Sequence, residues 1–301
     1  MEPRTMCALT IAAAMSLGAR AALCQDEHAA HAQAPAASPS PSAPAADPSL
    51  PPAEEGAKAA LNTSPRHGEY VDVKPPGGGT AVRTFVVFPE RKDKAPVVIV
   101  IHEIFGLSDW IRGVADQLAE DGFIALAPDL LSGKGPASGG TESFADRDAV
   151  TGAVRGLAPE EVKLRLDAVR AYGAALPAAN GKAATLGFCW GGARSFAYAA
   201  DQPGLDAAVV YYGTSPETPQ LAAIQAPVLG LYGGDDARVN ATIEPAAAEM
   251  KRLGRNYEVE TYAGAGHGFL RQQSGREGAN VEATRKAWPS TLAFLRKHLG
   301  G

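Results

Sequence analysis

The chain has 301 residues, of which 46% are hydrophobic and 20% are charged, and its formal net charge is −5. This composition is typical of a globular protein with a substantial core, in one or two domains, and excludes a fibrous or largely disordered chain. Lys and Arg are scattered along the sequence and the net charge is negative, which argues against nucleic acid as a partner.

The first 21 residues have the pattern of a secretory signal peptide. A basic residue precedes a short apolar stretch, and the tripeptide ARA at 19–21 is a small-x-small cleavage pattern. The apolar stretch is shorter than the ~20 residues that cross a bilayer, so we expect no stable membrane insertion. We therefore expect export to the periplasm or secretion from the cell. A lipid anchor on Cys24 is the alternative, which the bulky Leu23 before it disfavours.

Residues 22–65 are rich in Ala, Pro and Ser. They lack the apolar periodicity that offsets the entropy of ordering a chain, which predicts a disordered linker. The folded domain is then expected over residues 66–301. Cys189 is the only cysteine in that domain, so no disulfide framework can form there.

Strand-like apolar runs alternate with helical patterns from residue 80 onward. The predicted strands are 80–88, 95–103, 123–130, 182–188, 207–213, 226–233 and 257–262. Helices are predicted between 107 and 122, from 159 to about 172, from about 191, over 242–253 and over 284–298, with a loop over 132–141. This alternation predicts an α/β fold with a mostly parallel, doubly wound sheet and helices on both faces. Chemistry in such sheets gathers at the carboxyl ends of the strands.

Cys189 lies in the motif GFCWGG, directly after the predicted strand 182–188. G-x-C-x-G has the spacing of the nucleophile elbow G-x-S-x-G, with sulfur in place of the hydroxyl. A thiol needs a base or a positive field to become a thiolate, and a helix N-terminus supplies part of that field. The alternative is a buried structural cysteine in a tight turn.

An acid and a base follow two later predicted strands. Asp235 and Asp236 come after strand 226–233, and His267 comes shortly after strand 257–262. The chain order of nucleophile, acid and histidine is that of α/β-hydrolase triads. Alternatively, the two aspartates serve an ordinary turn and His267 lies in a surface loop. His102 is the rival base.

Glu103 ends the buried strand 95–103, where it faces the mouth of the sheet. A charged residue is rarely placed there without a partner. Glu103 is therefore a candidate site residue, and a structural pair with an arginine is the alternative.

Six spaced motifs together resemble the dienelactone hydrolase (carboxymethylenebutenolidase) family of the α/β-hydrolases. They are HEIFGL, PDL, GFCWGG, YYG, GGDD and GHGFLR, and the resemblance covers roughly residues 66–298. It implies the α/β-hydrolase fold, with Cys189 as nucleophile, Asp236 as the triad acid and His267 as the base.

The resemblance also implies roles for residues around the nucleophile. Glu103 matches a buried glutamate that holds the resting thiol and takes its proton when substrate arrives. The backbone N–H groups of Ile104 and Trp190 would form the oxyanion hole. Arg271, in GHGFLR, and Arg147, in the loop after PDL, are the candidates for binding a substrate carboxylate. No metal or organic cofactor is implied.

These observations predict a hydrolase that opens small lactones or cleaves small carboxylic esters through a cysteine thioester. The expected partner is a small-molecule lactone or ester, and the sequence leaves the oligomeric state open, a monomer included. One alternative is a broad-specificity exported esterase or acyl hydrolase with a non-lactone substrate, because an exported enzyme would not meet lactones made inside the cell. Another is a catalytically silent exported binding protein.

Overall fold

The computed structural model of the chain describes residues 47–300. They fall within one compact unit, Ala45–Gly301. The signal peptide predicted for residues 1–21, Cys24 and the predicted linker before residue 47 lie outside the described residues. Between residues 47 and 300, no helix combines the length and the apolar character that crossing a membrane requires.

An eight-stranded sheet forms the centre of the fold. Its strands are β1 Gly68–Val73, β2 Val82–Val87, β3 Ala95–Ile101, β4 Ile124–Pro128, β5 Ala179–Phe188, β6 Ala207–Tyr211, β7 Val228–Gly233 and β8 Tyr257–Tyr262. The spatial order is β1-β2-β4-β3-β5-β6-β7-β8. β2 pairs antiparallel with both β1 and β4, and all other neighbours are parallel. The carboxyl ends of β3 and β5 to β8 therefore meet along one edge.

Helices cover both faces of this sheet. In the described part of the chain they are α1 Glu54–Thr63, α2 Asp109–Glu120, α3 Arg147–Arg155, α4 Pro159–Ala175, α5 Trp190–Asp201, α6 Thr218–Leu221, α7 Ala237–Asn240, α8 Ile243–Arg252 and α9 Ala279–Leu299. The apolar residues of α1, α2 and α9 share one core with the sheet. Those of α3, α4, α5 and α8 share a second core on the opposite face.

The predicted α/β architecture is confirmed, and each predicted strand is present. β3 is buried at all seven positions, which is why its sequence APVVIVI reads as an unbroken apolar run. The strand predicted at 257–262 coincides with β8. The C-terminal helix begins five residues earlier than predicted, at Ala279 instead of 284.

β1, α3, α6 and α7 are absent from the sequence-based prediction. β1 has the sequence GEYVDV, and five of its six positions are exposed or half-buried. It lies at the edge of the sheet, and most of its side chains do not pack against the core. It therefore lacks the apolar signal on which a strand prediction depends.

The prediction that residues 22–65 form a disordered linker is wrong for its last part. Residues 54–63 form α1, and both Leu50 and Ala57 are buried. The indole N–H of Trp110 on α2 donates to the carbonyl oxygen of Pro52 at 3.1 Å. Gly113, also on α2, leaves room for the Pro52 ring, because a Cβ there would approach it to 2.8 Å. Tertiary packing thus orders a segment whose own composition indicates disorder, and the compact unit begins before residue 66.

Candidate active site

Cys189 lies in the sharp turn between β5 and α5. Its backbone has φ +55° and ψ −115°, a region that residues other than glycine rarely occupy. The backbone N–H of Cys189 donates to the carbonyl oxygen of Tyr211 at the end of β6, at 3.0 Å. Such a strained conformation persists only where its surroundings enforce it, and it points to a functional position.

Three glycines around Cys189 allow this turn to form. A Cβ on Gly187 would lie 2.0 Å from the carbonyl oxygen of Gly191. A Cβ on Gly191 would lie 2.3 Å from the carbonyl oxygens of Ile101 and His102, at the end of β3. A Cβ on Gly192 would lie 2.5 Å from the Tyr211 carbonyl oxygen. The glycines of GFCWGG therefore let α5 begin directly against the ends of β3 and β6.

Asp236 and His267 meet at the ends of β7 and β8. The Asp236 Oδ2 atom lies 2.5 Å from the His267 Nδ1 atom. The Asp236 carboxylate is buried, whereas the imidazole of His267 is about one-third exposed. The neighbouring Asp235 points away to an exposed ion pair with Arg276, so only the second aspartate of GGDD reaches the histidine.

His102, the rival base, is held by the backbone on both ring nitrogens. Its Nε2 atom accepts from the N–H of Leu130 at 3.2 Å, so Nδ1 carries the proton and donates to the carbonyl oxygen of Glu103 at 2.8 Å. The ring is fully buried, and burial lowers the pKa of His102. Within the described chain His102 thus positions the turn after β3 and has no free nitrogen for proton transfer.

Glu103 is buried beside Arg271 on the approach to Cys189. The Arg271 Nε atom lies 2.9 Å from Oε1 of Glu103, although the contact lacks hydrogen-bond geometry. Burial raises the pKa of Glu103 from 4.5 to about 7, against the opposing charge of Arg271. Burial and the charge of Glu103 also raise the pKa of the Cys189 thiol, while the Trp190 N–H favours the thiolate. Cys189 is therefore protonated at neutral pH in the resting site.

The raised pKa of Glu103 predicts a pH-dependent stability. Between its unfolded value of 4.5 and its folded value of about 7, the native protein binds more protons than the unfolded chain, so Glu103 lowers stability as pH rises through this window. We therefore compare the free energy of unfolding of Glu103→Gln with that of the wild type. The difference, variant minus wild type, should increase by about 2–3 kcal/mol from pH 5 to pH 8. Urea unfolding at both pH values measures this difference.

The matched control for this measurement is Glu55→Gln. Glu55 is an exposed carboxylate of α1, so its variant should give a stability profile parallel to that of the wild type. A Glu103→Gln profile that is also parallel to the wild type would contradict the raised pKa of Glu103.

The two predicted oxyanion-hole residues lie on adjoining segments. Trp190 is the first residue of α5, so its N–H has no acceptor one turn earlier in the helix. Ile104 follows Glu103 in the turn after β3. The close approach of Gly191 to the end of β3 brings these two segments together.

Arg271 and Arg147 are brought together around one carboxylate. Oε1 of Glu54, the first residue of α1, lies 2.6 Å from an Arg147 guanidinium nitrogen, and its Oε2 is paired with Arg271. Both guanidinium groups lie over the ring of Phe105, with Cζ 3.8 Å from the ring centroid for Arg147 and 5.2 Å for Arg271. The two arginines that the resemblance assigned to a substrate carboxylate thus hold a carboxylate of the protein itself.

Glu54, Phe105 and Tyr212 have no role in the sequence-based prediction. Tyr212 has a strained φ of +38°, and its ring centroid lies 5.1 Å from that of His267. The Tyr212 hydroxyl is buried without a hydrogen-bond partner among residues 47–300, and burial raises its pKa well above the ordinary value. The YYG motif marked this position, whereas no local signal marks Glu54.

The mostly parallel sheet, with a cysteine in the turn after β5 and an Asp–His pair beyond β7 and β8, is the architecture of the α/β-hydrolases. The dienelactone hydrolase family model matches residues 82–299. The chain therefore belongs to the dienelactone hydrolase family and is a hydrolase, which confirms the resemblance of its motifs.

Individual relatives agree with this assignment. A Salmonella typhimurium protein provisionally named carboxymethylenebutenolidase is 32% identical over 238 residues, which cover 75% of this chain and 86% of that protein. A Saccharolobus solfataricus protein with the same provisional name is 30% identical over 249 residues, covering 73% and 95%. The crystal structure of a provisionally named dienelactone hydrolase from Klebsiella pneumoniae has a TM-score of 0.65 and 28% identity, covering 76% of this chain and 97% of that one.

Proposed function

We propose that this hydrolase opens small lactones or cleaves small carboxylic esters through a thioester on Cys189. The observation that carries the proposal is the strained elbow at Cys189, which holds the thiol at the N-terminus of α5 beside the buried Glu103. Nucleophile elbows serve acyl transfer, because the residue is exposed to substrate at the end of a strand and next to backbone N–H donors.

Acylation begins with loss of the thiol proton. Glu103, with a pKa of about 7, is a suitable acceptor for this proton near neutral pH. The thiolate attacks the substrate carbonyl, and the N–H groups of Ile104 and Trp190 stabilise the oxyanion. When the carbonyl re-forms, the C–O bond breaks and the leaving oxygen takes the proton from Glu103. A lactone keeps this oxygen on the acyl chain, whereas an ester releases an alcohol.

Deacylation requires a base that reaches a water molecule. The Asp236 carboxylate orients His267 through Nδ1, which leaves Nε2 to take a proton from water. The resulting hydroxide attacks the thioester, the C–S bond breaks, and the departing thiolate receives the proton from His267. Over the cycle, one water is consumed and the product is a carboxylic acid.

Turnover and trapping experiments test this proposal. We expect the purified chain to hydrolyse cis- or trans-dienelactone or p-nitrophenyl acetate. Quenching the p-nitrophenyl acetate reaction early should give an acetyl group on the peptide that contains Cys189, detected by mass spectrometry. Hydrolysis that proceeds without any acyl group on Cys189 would contradict the thioester. Turnover of an uncharged lactone such as dihydrocoumarin well above that of p-nitrophenyl acetate would identify lactones as the preferred class.

We also propose that the protein is exported, on the strength of the signal-peptide pattern in residues 1–21. Cell fractionation should place the full chain outside the cytoplasm and a chain lacking residues 2–21 within it. The same location for both chains would overturn the proposal.

A further inference from the structure

The segment that carries Glu54 is fixed on the domain by contacts at several points. The backbone N–H of Glu54 donates to the carbonyl oxygen of Arg271 at 3.0 Å. The side-chain amide of Gln273 donates to the carbonyl oxygen of Pro51 at 2.9 Å. Leu50 is only 6% exposed. These contacts fix the backbone at Glu54, and the ion pairs with Arg147 and Arg271 hold its carboxylate.

This carboxylate balances the charge of the arginine pair. Arg271 lies between Glu54 and Glu103, with its side chain only 11% exposed. Burial lowers the pKa of Arg271, but the charges of Glu103 and Glu54 raise it overall, so it stays cationic. Two guanidinium groups therefore face two carboxyl groups, and the cluster has no net charge when both carboxyl groups are ionised.

The cluster borders the nucleophile. Glu103 contacts Arg271, and it follows His102, whose carbonyl oxygen would lie 2.3 Å from a Cβ on Gly191 in the turn that carries Cys189. Arg238 is the cation whose charge favours the Cys189 thiolate, but its side chain is exposed and screened by solvent. A negatively charged substrate group placed near Arg271 would therefore meet guanidinium donors that are already engaged and a like charge on Glu54.

We propose that Glu54 is a specificity-determining residue that occupies the Arg271–Arg147 pair and makes the enzyme select neutral acyl groups over carboxylate-bearing ones. This inference rests on the proposed acyl transfer at Cys189 and narrows its substrate class. The Arg271 guanidinium is largely buried, so a competing carboxylate must replace the charge-assisted hydrogen bond that Glu54 already makes to it, whereas the Arg147 side of the pair is exposed and adds less. The natural substrate is then a lactone or ester whose acyl portion carries no charge.

Matched ester pairs test the selectivity. p-Nitrophenyl butyrate ends in a methyl group where mono-p-nitrophenyl succinate has a carboxylate. p-Nitrophenyl valerate and mono-p-nitrophenyl glutarate form a second pair that differs in the same way. The wild type should prefer the neutral member of each pair. Glu54→Gln should raise the ratio of kcat/KM for the anionic to the neutral ester by about tenfold or more in at least one pair, because the arginines become free to bind the substrate carboxylate.

Two further variants separate this effect from a general disturbance. Glu55→Gln changes the neighbouring exposed carboxylate of the same helix and should leave the ratio unchanged. Glu54→Gln combined with Arg271→Ala should lose the gain, because Arg271 is the receiving group. An unchanged ratio in a Glu54→Gln variant that unfolds at the wild-type temperature would overturn the proposal.

A binding measurement distinguishes failure of this inference from failure of the proposed function. If the wild type hydrolyses none of the four esters, the proposed acyl transfer is contradicted for esters of this kind. The role of Glu54 is then read from calorimetric titration of Cys189→Ala with succinate and with glutarate. If Cys189→Ala combined with Glu54→Gln binds either dicarboxylate about tenfold more tightly than Cys189→Ala alone, the assignment is supported. Equal affinities overturn it.

Discussion

Cys189→Ala is expected to lower kcat for lactone and ester hydrolysis by about 10⁴-fold or more. The proposed thioester cannot form without the sulfur, so only the proposed oxyanion donors and substrate binding would remain to accelerate attack by water. Cys189 is also the one free cysteine among residues 47–300, so no neighbouring thiol in that range can replace it. Single-turnover and steady-state kinetics on the same ester measure the loss.

The fold of this variant should be unaffected. Alanine keeps the Cβ atom and experiences the same strain at φ +55° as cysteine does. The thermal unfolding temperature therefore serves as the control, and Cys189→Ser adds a second one by restoring a weaker nucleophile. A folded Cys189→Ala variant with more than about a tenth of the wild-type kcat would rule out Cys189 as the nucleophile.

Asp236→Asn is expected to lower kcat on the order of 10³-fold to 10⁴-fold with little change in stability. The Asp236 carboxylate accepts from His267 Nδ1, so it keeps Nε2 unprotonated and available as a base. An asparagine amide can instead donate to Nδ1, which moves the ring proton to Nε2 and removes the base. The pre-steady-state burst of p-nitrophenol should persist while the slow deacylation phase is further retarded.

The adjacent Asp235 provides a matched control for this substitution. Asp235→Asn changes the same functional group one position away, but its exposed ion pair with Arg276 has no contact with His267. We expect kcat for Asp235→Asn within about threefold of the wild type. Asp236→Asn combined with His267→Ala should be no slower than His267→Ala alone, because the aspartate acts through the histidine. Additive losses, or a larger loss in Asp235→Asn, would contradict this assignment.

Local sequence patterns accounted for seven of the eight strands of the sheet and for the positions of the candidate residues along it. β3 and β7 are buried at every position, so burial of both sheet faces is visible in their apolar runs. GFCWGG predicted a sharp turn between strand and helix, and the turn occurs at Cys189 because Gly187, Gly191 and Gly192 have no side chains to obstruct it. Such features depend on neighbours in the chain, which is why periodicity and glycine spacing reveal them.

The orientation of two candidate side chains needed the structure. The pattern GGDD places two aspartates at the end of β7, and the family resemblance, not the local pattern, singles out Asp236; in the structure Asp236 contacts His267 and Asp235 pairs with Arg276. The sequence leaves His102 as a rival base, whereas in the structure both of its ring nitrogens are paired, one with Glu103 and one with Leu130. Both outcomes depend on hydrogen bonds between separate elements of the fold.

The sequence by itself determined the alternation of strands and helices, the elbow at Cys189 and the order of the candidate triad, because each depends on short-range spacing. Only the tertiary structure decided that residues 54–63 are a helix and that Glu54 lies on Arg271, 217 positions further along the chain. The physical reason is that α1 is ordered by packing on α2. The Glu54 carboxylate at its start then acts across space on groups that are distant from it in the sequence. The predicted fold class thus follows from local periodicity, whereas the charge around Arg271 follows from long-range contacts.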